Sequence, residues 1–232
     1  MLPNINRIKN GLKFVKLLLK KRLRRLTGKQ VIEVIGDSHT LLFQSEYFNI
    51  NYIGPATAYN LGSTNSTNKS RDQVLRVIEE GQKHGSKYFL FVLGEIDARI
   101  HIYNQHKKKN LPIDECISFA ITRYLEFLGE IQKKNPVIQI IICNIFPPGE
   151  QDNVYKYEYY ADRNTRMDIT RRMNNEIENQ IEEKAFIYIN VYSALLDDRG
   201  ERISKYIFDD IHYNCDILPL IEAEIKKNIP EI

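Results

Sequence analysis

The 232 residues suit one α/β domain, and fourteen Tyr, ten Phe and an apolar share of 43% are enough for a packed core. Ten of the 33 Lys and Arg fall within residues 1–30, where there is no acid, so the net charge of +3 conceals a remainder with 23 basic against 30 acidic residues. That acidic body argues against nucleic-acid binding, three scattered cysteines (Cys116, Cys143, Cys215) argue against a disulfide framework or zinc site, and no apolar run reaches the roughly 20 residues of a bilayer span.

Residues 5–26 place Ile5, Ile8, Leu12, Val15, Leu19, Leu23 and Leu26 three or four apart, with Lys and Arg filling much of the opposite face. This spacing predicts a basic amphipathic helix, a 1–28 extension preceding a 29–232 domain. Such a helix lies on an anionic membrane or a partner protein, or else packs on its own domain with its charges solvated. The run from Phe14 to Leu19 is broken by Lys16 and lacks a small-residue cleavage site, so it does not read as a signal peptide. A cytoplasmic protein, in peripheral contact with the inner face of the membrane, is the expectation.

Val31 to Ile35 is a short β-branched run that stops at Gly36, and Asp37-Ser38-His39-Thr40 follows before Leu41-Leu42-Phe43. The pattern predicts a buried strand, a tight turn and the first turn of a helix, holding Ser38 at the strand's carboxyl end. Backbone N–H groups there favour an anion. A second strand is expected over Phe48 to Ile53, then a polar loop from Gly54 to Ser70 and a helix over Arg71 to Lys83. Tyr88 to Leu93 is a continuous apolar strand, as expected of a parallel sheet covered on both faces. Ile113 to Lys134 is a clear helix stopped by Pro136, Val137 to Cys143 another strand, Asp168 to Lys184 a polar helix, Phe186 to Val191 a strand and Asp216 to Lys227 a final helix. Alternation of this kind predicts a βαβ parallel sheet covered by helices.

A serine at a strand-end turn attacks an acyl carbon only if a base removes its proton. Among five histidines, His212 follows Asp209-Asp210-Ile211, so one short loop offers both an imidazole and a carboxylate to set its tautomer. An Asp-x-x-His pair alone is weak. Combined with Gly-Asp-Ser at the other end of an α/β chain, it is much more specific.

Gly36-Asp37-Ser38-His39 near the start and Asp209-x-x-His212 near the end resemble the SGNH, or GDSL-like, hydrolase superfamily, over roughly residues 31–228. The resemblance implies a flavodoxin-like, three-layer αβα sandwich with a parallel sheet of about five strands, and acyl cleavage or transfer without a metal or other cofactor. It implies Ser38 as nucleophile, His212 as general base and acid, and Asp209 as its orienting partner. The family's oxyanion donors are the nucleophile's N–H, a glycine after the second strand and an asparagine after the third. Gly62 is the choice for the glycine, with Gly54 and Asn65 as alternatives. The family's Gly-x-Asn-Asp falls on Gly94-Glu95-Ile96-Asp97, which puts Ile96 in the asparagine's place. Gly94-Glu95-Ile96-Asp97-Ala98-Arg99 resembles a Gly-Glu-Ile-Asp-x-Arg variant associated with bacterial surface-polysaccharide loci.

Two acids and an arginine directly after a buried strand must be paired. Either Arg99 bridges Glu95 or Asp97 and pins the loop, or Glu95 and Arg99 face the cleft and bind an anionic substrate group or the oxyanion. Tyr155, Tyr157, Tyr159 and Tyr160 form either a sugar-stacking lid or a packed loop; Arg171 to Asn174 read as scaffold. The resulting expectation is a serine esterase acting on an O-acetylated carbohydrate or small acyl ester. The alternatives are an O-acetyltransferase with the same triad in surface-polysaccharide biosynthesis, and a non-catalytic module that kept the fold.

Overall fold

The computed structural model describes residues 5–232 except 183 and 231, and the backbone alone for 5–14 and 25. Five parallel strands, β1 (Ile32–Gly36), β2 (Phe48–Tyr52), β3 (Tyr88–Val92), β4 (Gln139–Cys143) and β5 (Ile187–Ile189), form one sheet in the order β2-β1-β3-β4-β5. Register is in phase at the centre, where Val34 pairs with Leu90 and Leu90 with Ile141. Side chains alternate across the sheet, so each strand feeds two cores. Ile35, Phe89, Phe91, Ile140 and Ile142 pack on one face, while Ile32, Val34, Leu90, Val92 and Ile141 pack on the other.

Helices α2 (Ser70–Lys83), α4 (Ile113–Lys134) and α5 (Arg163–Ile181) bury Val74, Ile78, Ile121, Leu128, Ile169 and Met173 in the first core. Helix α6 (Leu218–Asn228) covers the second with Leu218, Ile221 and Ile225. The architecture is a three-layer αβα sandwich. One carboxylate sits within the sheet: Glu33, buried in β1, accepts hydrogen bonds from Asn49 and Asn51 on β2 (2.7 and 2.9 Å) and from Ser86 (2.8 Å).

Several element boundaries depart from the sequence reading, and three departures have a clear local cause. The residues after Ser38 form a single 3₁₀ turn, Ser38–Leu42, rather than the start of a longer helix. Helix α3 (Ile102–Lys109), ending at the left-handed Asn110, was not foreseen, because its last four residues are His and Lys and it buries only Ile102. Helix α5 begins at Arg163 instead of Asp168, since Asp162 caps it by accepting from the Thr165 N–H (2.8 Å). Helix α1 (Ile5–Leu26) spans the expected 5–26, although the side chains of Ile5, Ile8 and Leu12 lie outside the described residues.

In an open parallel sheet, ligands bind beyond the carboxyl ends of the strands where the strand order reverses. Here that point lies between β1, which leads to Ser38, and β3, which leads to Gly94–Arg99. Two glycines let the strand ends close up. A Cβ on Gly36 would collide with the Val92 carbonyl, and Gly94 has a φ of +109° with its bare Cα against Ile145.

Candidate active site

Ser38 opens the 3₁₀ turn after β1, and its Oγ lies 2.8 Å from Nε2 of His212. The histidine sits on a short hairpin, in which the Phe208 N–H donates to the His212 carbonyl and Ile207 bridges Tyr213. Arg202 donates to the carbonyls of Asp209 and Asp210 (both 3.2 Å), and the Tyr213 hydroxyl donates to the Pro147 carbonyl (3.0 Å), so the hairpin is tied to the body at both ends.

The Asp209 carboxylate lies 3.0 and 2.9 Å from Nδ1 of His212. It also accepts the backbone N–H groups of Ile211 (2.8 Å) and His212 (2.7 Å). Partial burial pushes its carboxyl up, but the bonds from His212 and Ile211 outweigh this and bring it down to about 2. Asp209 is therefore ionised at neutral pH and claims the Nδ1 proton. That fixes the tautomer in which Nε2 is free to accept the Ser38 hydroxyl proton. The structure thus brings Ser38, His212 and Asp209, separated by up to 174 residues, into one hydrogen-bonded chain.

A second Asp–His pair lies beneath the first. Asp37 caps the 3₁₀ turn through the His39 N–H (2.9 Å), and its Oδ1 also faces Nδ1 of His39 at 3.1 Å. Nε2 of His39 faces the Ile211 carbonyl at 3.3 Å, and the His39 ring stands 5.1 Å from that of His212. Both partners are acceptors, so both ring nitrogens must carry protons for the two bonds to form together. Complete burial disfavours that charge, yet the bonds to Asp37 and Ile211 and the field of Asp37 and Glu95 raise the His39 pKa overall. His39 also touches the wall of the cleft beside Ser38, and the one sequence signal for its pairing is Asp37-x-His39 itself.

A cleft of about 400 Å³ opens beside Ser38 and His212, walled by Leu41, Leu42, Phe208 and Tyr213. The other residues expected at the site stand outside this cleft, although Glu95 lines a small recess with Asp37 and His39. Gly62 presses its bare Cα against Phe127 on α4 and gives its carbonyl to Arg71 (2.8 Å). Asn65 is exposed and its N–H donates to the Ser63 hydroxyl (3.3 Å). Arg99 grips Glu95 through Nε (2.6 Å) and Nη2 (3.3 Å) and reaches the Gln151 side chain with Nη1 (3.1 Å). None of these four lines the cleft at Ser38. In the loop after β4, Tyr157 contacts both Tyr155 and Tyr160, stacking on the latter, and Tyr160 lies under the Arg166 guanidinium.

Asp97 does not pair with Arg99 among the contacts seen. It is fully buried and accepts the N–H groups of Ala58 (2.6 Å) and Tyr59 (3.2 Å), fastening the loop after β2 to the end of β3. Burial dominates those bonds and pushes its carboxyl up to about 7. Asn144 and Asn174 do similar work on the other side. Asn144 accepts the Val191 N–H (2.9 Å), and Asn174 bonds both the N–H and the carbonyl of Ile145. Asn144 follows directly on β4 and carried no sequence signal beyond that position, whereas Asn174 lies mid-way along α5, in the Arg171 to Asn174 stretch read as scaffold. No cluster of His, Cys, Asp and Glu among the described residues has the arrangement of a metal site.

No protein-family model and no curated protein matches the chain. Solved structures do match its fold. A GDSL-like lipase from Bacteroides thetaiotaomicron superposes with a TM-score of 0.59 at 15% identity, over 88% of this chain and 90% of that one. The fold is that of the GDSL-like lipases. A protein described as an acylhydrolase from Bacteroides fragilis gives 0.57 at 13% identity, over 87% of each chain. A lipase from a goat rumen metagenome gives 0.52 at 10% identity, over 85% of this chain and 96% of that one. Within this GDSL-like fold, Ile96 stands half-buried where the asparagine was expected after β3.

Proposed function

We propose that the protein is a serine ester hydrolase of the GDSL-like type. Ser38 is the nucleophile, His212 the general base and then acid, and Asp209 the group that orients His212. The observation that carries this reading is the unbroken chain Ser38 Oγ–His212 Nε2–Nδ1–Asp209, with a cleft opening at the serine. Ser38 adds to an ester carbonyl as its proton passes to Nε2. His212 returns that proton to the departing alcohol, leaving an acyl-enzyme; water, deprotonated by the same nitrogen, then releases the acid and regenerates Ser38.

The expected substrate class is an O-acetylated carbohydrate or a small acyl ester, and the apolar walls at Leu41, Leu42 and Phe208 suit the acyl or alcohol carbon chain. A sugar hydroxyl replacing water would make the same triad an acetyltransferase in surface-polysaccharide synthesis. Ile96 favours a second reading, a binding module of the same fold, because an oxyanion hole short of one donor loses about 10²–10³ in rate. Treatment with a fluorophosphonate followed by intact mass spectrometry separates the two. One adduct on Ser38, absent from Ser38→Ala, supports the hydrolase; an unlabelled protein sinks it.

A further inference from the structure

Helix α1 is turned the wrong way for a helix that belongs to the core. Its polar side meets the body: the Lys20 ammonium reaches Glu46 (3.1 Å), and the Arg24 guanidinium lies 4.2 Å over the Tyr47 ring and donates to the Gln30 carbonyl (3.3 Å). Its apolar side faces outward. Val15, Leu19, Leu23 and Leu26 are 53%, 61%, 61% and 75% exposed and repeat at spacings of four, four and three, so they form one continuous stripe. Exposed Lys16 and Arg22 flank that stripe. At 22 residues the helix is roughly 33 Å long.

We propose that this stripe docks the protein on an anionic lipid bilayer, with α1 lying in the interface plane, leucines toward the acyl chains and basic side chains among the headgroups. The charge decides the occupant. Residues 1–30 hold ten basic residues and no acid, so a second copy of this helix laid against the first would bring like charges together, whereas an anionic surface neutralises them. Apolar burial and headgroup attraction then act on the same helix. The inference is independent of the chemistry at Ser38, and its test reads binding alone.

The full-length protein is sedimented with vesicles of phosphatidylcholine alone and of phosphatidylcholine mixed with phosphatidylglycerol. It should bind the mixed vesicles, leave the neutral ones, and be released by molar salt, where the Debye length is about 3 Å. A Leu19→Ser, Leu23→Ser double variant removes apolar surface without touching charge and should bind at least tenfold more weakly. Lys16→Gln with Arg22→Gln should do the same while keeping the stripe. The melting temperature should be unchanged in both, because these side chains are exposed. Failure of the parent to bind mixed vesicles overturns the proposal, as does parental binding by the leucine variant. A parent dimer that the leucine substitutions dissociate, or a leucine variant that melts earlier, likewise overturns it by showing that protein covers the stripe.

Discussion

The molecule contains two Asp–His pairs whose rings stand 5.1 Å apart, and their surroundings separate what each can do. In Asp37–His39 the side chains are 2% and 3% exposed, and both imidazole nitrogens face acceptors rather than a hydroxyl at the cleft. In Asp209–His212 they are 46% and 30% exposed, and one imidazole nitrogen faces a serine hydroxyl at an open cleft. The same two residue types therefore form a strut in one case and, in the proposed hydrolase, would carry a proton in the other. The buried pair also serves the open one, because the Ile211 carbonyl that His39 holds lies between Asp209 and His212. Under the proposed mechanism the site needs a mobile proton on a histidine that does not itself move, and the two pairs would divide that task.

The largest effects should come from the open pair. Ser38→Ala and His212→Ala should each remove about three orders of magnitude or more of ester turnover while leaving the melting temperature within a degree or so, because neither side chain supports the core. Unchanged hydrolysis of a small acetyl ester by Ser38→Ala would exclude the serine. Asp209→Asn should cost less than His212→Ala, on the order of 100-fold less, since the aspartate orients the base without carrying its proton. Equal losses would show that Asp209 is not the orienting group.

How much of this was legible beforehand follows from the range of each interaction. The strands and the long α4 were legible because burial on a periodic face leaves a local apolar pattern, and Ile113–Lys134 buries nine residues along such a face. Ser38, Asp209 and His212 were legible because each sits in a compact polar cluster next to an apolar run. Asp97 was not, since its partners are backbone N–H groups 38 and 39 residues away that bear no side-chain signature. Helix α3 left little pattern because it exposes most of its surface, and the orientation of α1 could not be read at all. Periodicity tells which residues share a face, but not which way that face is turned.

The buried pair should show the opposite balance of effects. His39→Phe keeps an aromatic ring but removes the imidazole partner of the Asp37 carboxylate, at a cost of about 1–3 kcal/mol. That is roughly 2–12 °C in melting temperature for a chain of this size. Turnover should fall about tenfold through kcat, with KM little changed, as the Ile211 carbonyl loses its hold and His212 is placed less well. The stability change should itself depend on pH. The folded pKa of His39 is raised above its ordinary 6.5, so its contribution is complete below that value and is lost as pH rises through the folded one. Urea denaturation of parent and variant should therefore converge as pH is raised from about 6. A gap that is constant or widens with pH would show that His39 is neutral in the fold.

The smallest effect on chemistry is expected at a third pairing, Glu95–Arg99, which lies after β3 and whose carboxylate adds to the field on His39. Three guanidinium nitrogens are committed, two to Glu95 and one to Gln151, which favours a pin over a donor to developing negative charge. Arg99→Lys keeps the charge but cannot copy the planar fork, so the two-point grip on Glu95 is lost. If Arg99 is a pin, the melting temperature should fall by a few degrees, while turnover per folded molecule stays within about twofold of the parent. If it instead stabilises an oxyanion in place of the asparagine, the pattern reverses: kcat should drop by about 10²–10³ with little change in KM or melting temperature. Measuring kcat and melting temperature on one purified variant decides between them. A fall in kcat alone would move Arg99 from the frame of the site to its reacting atoms.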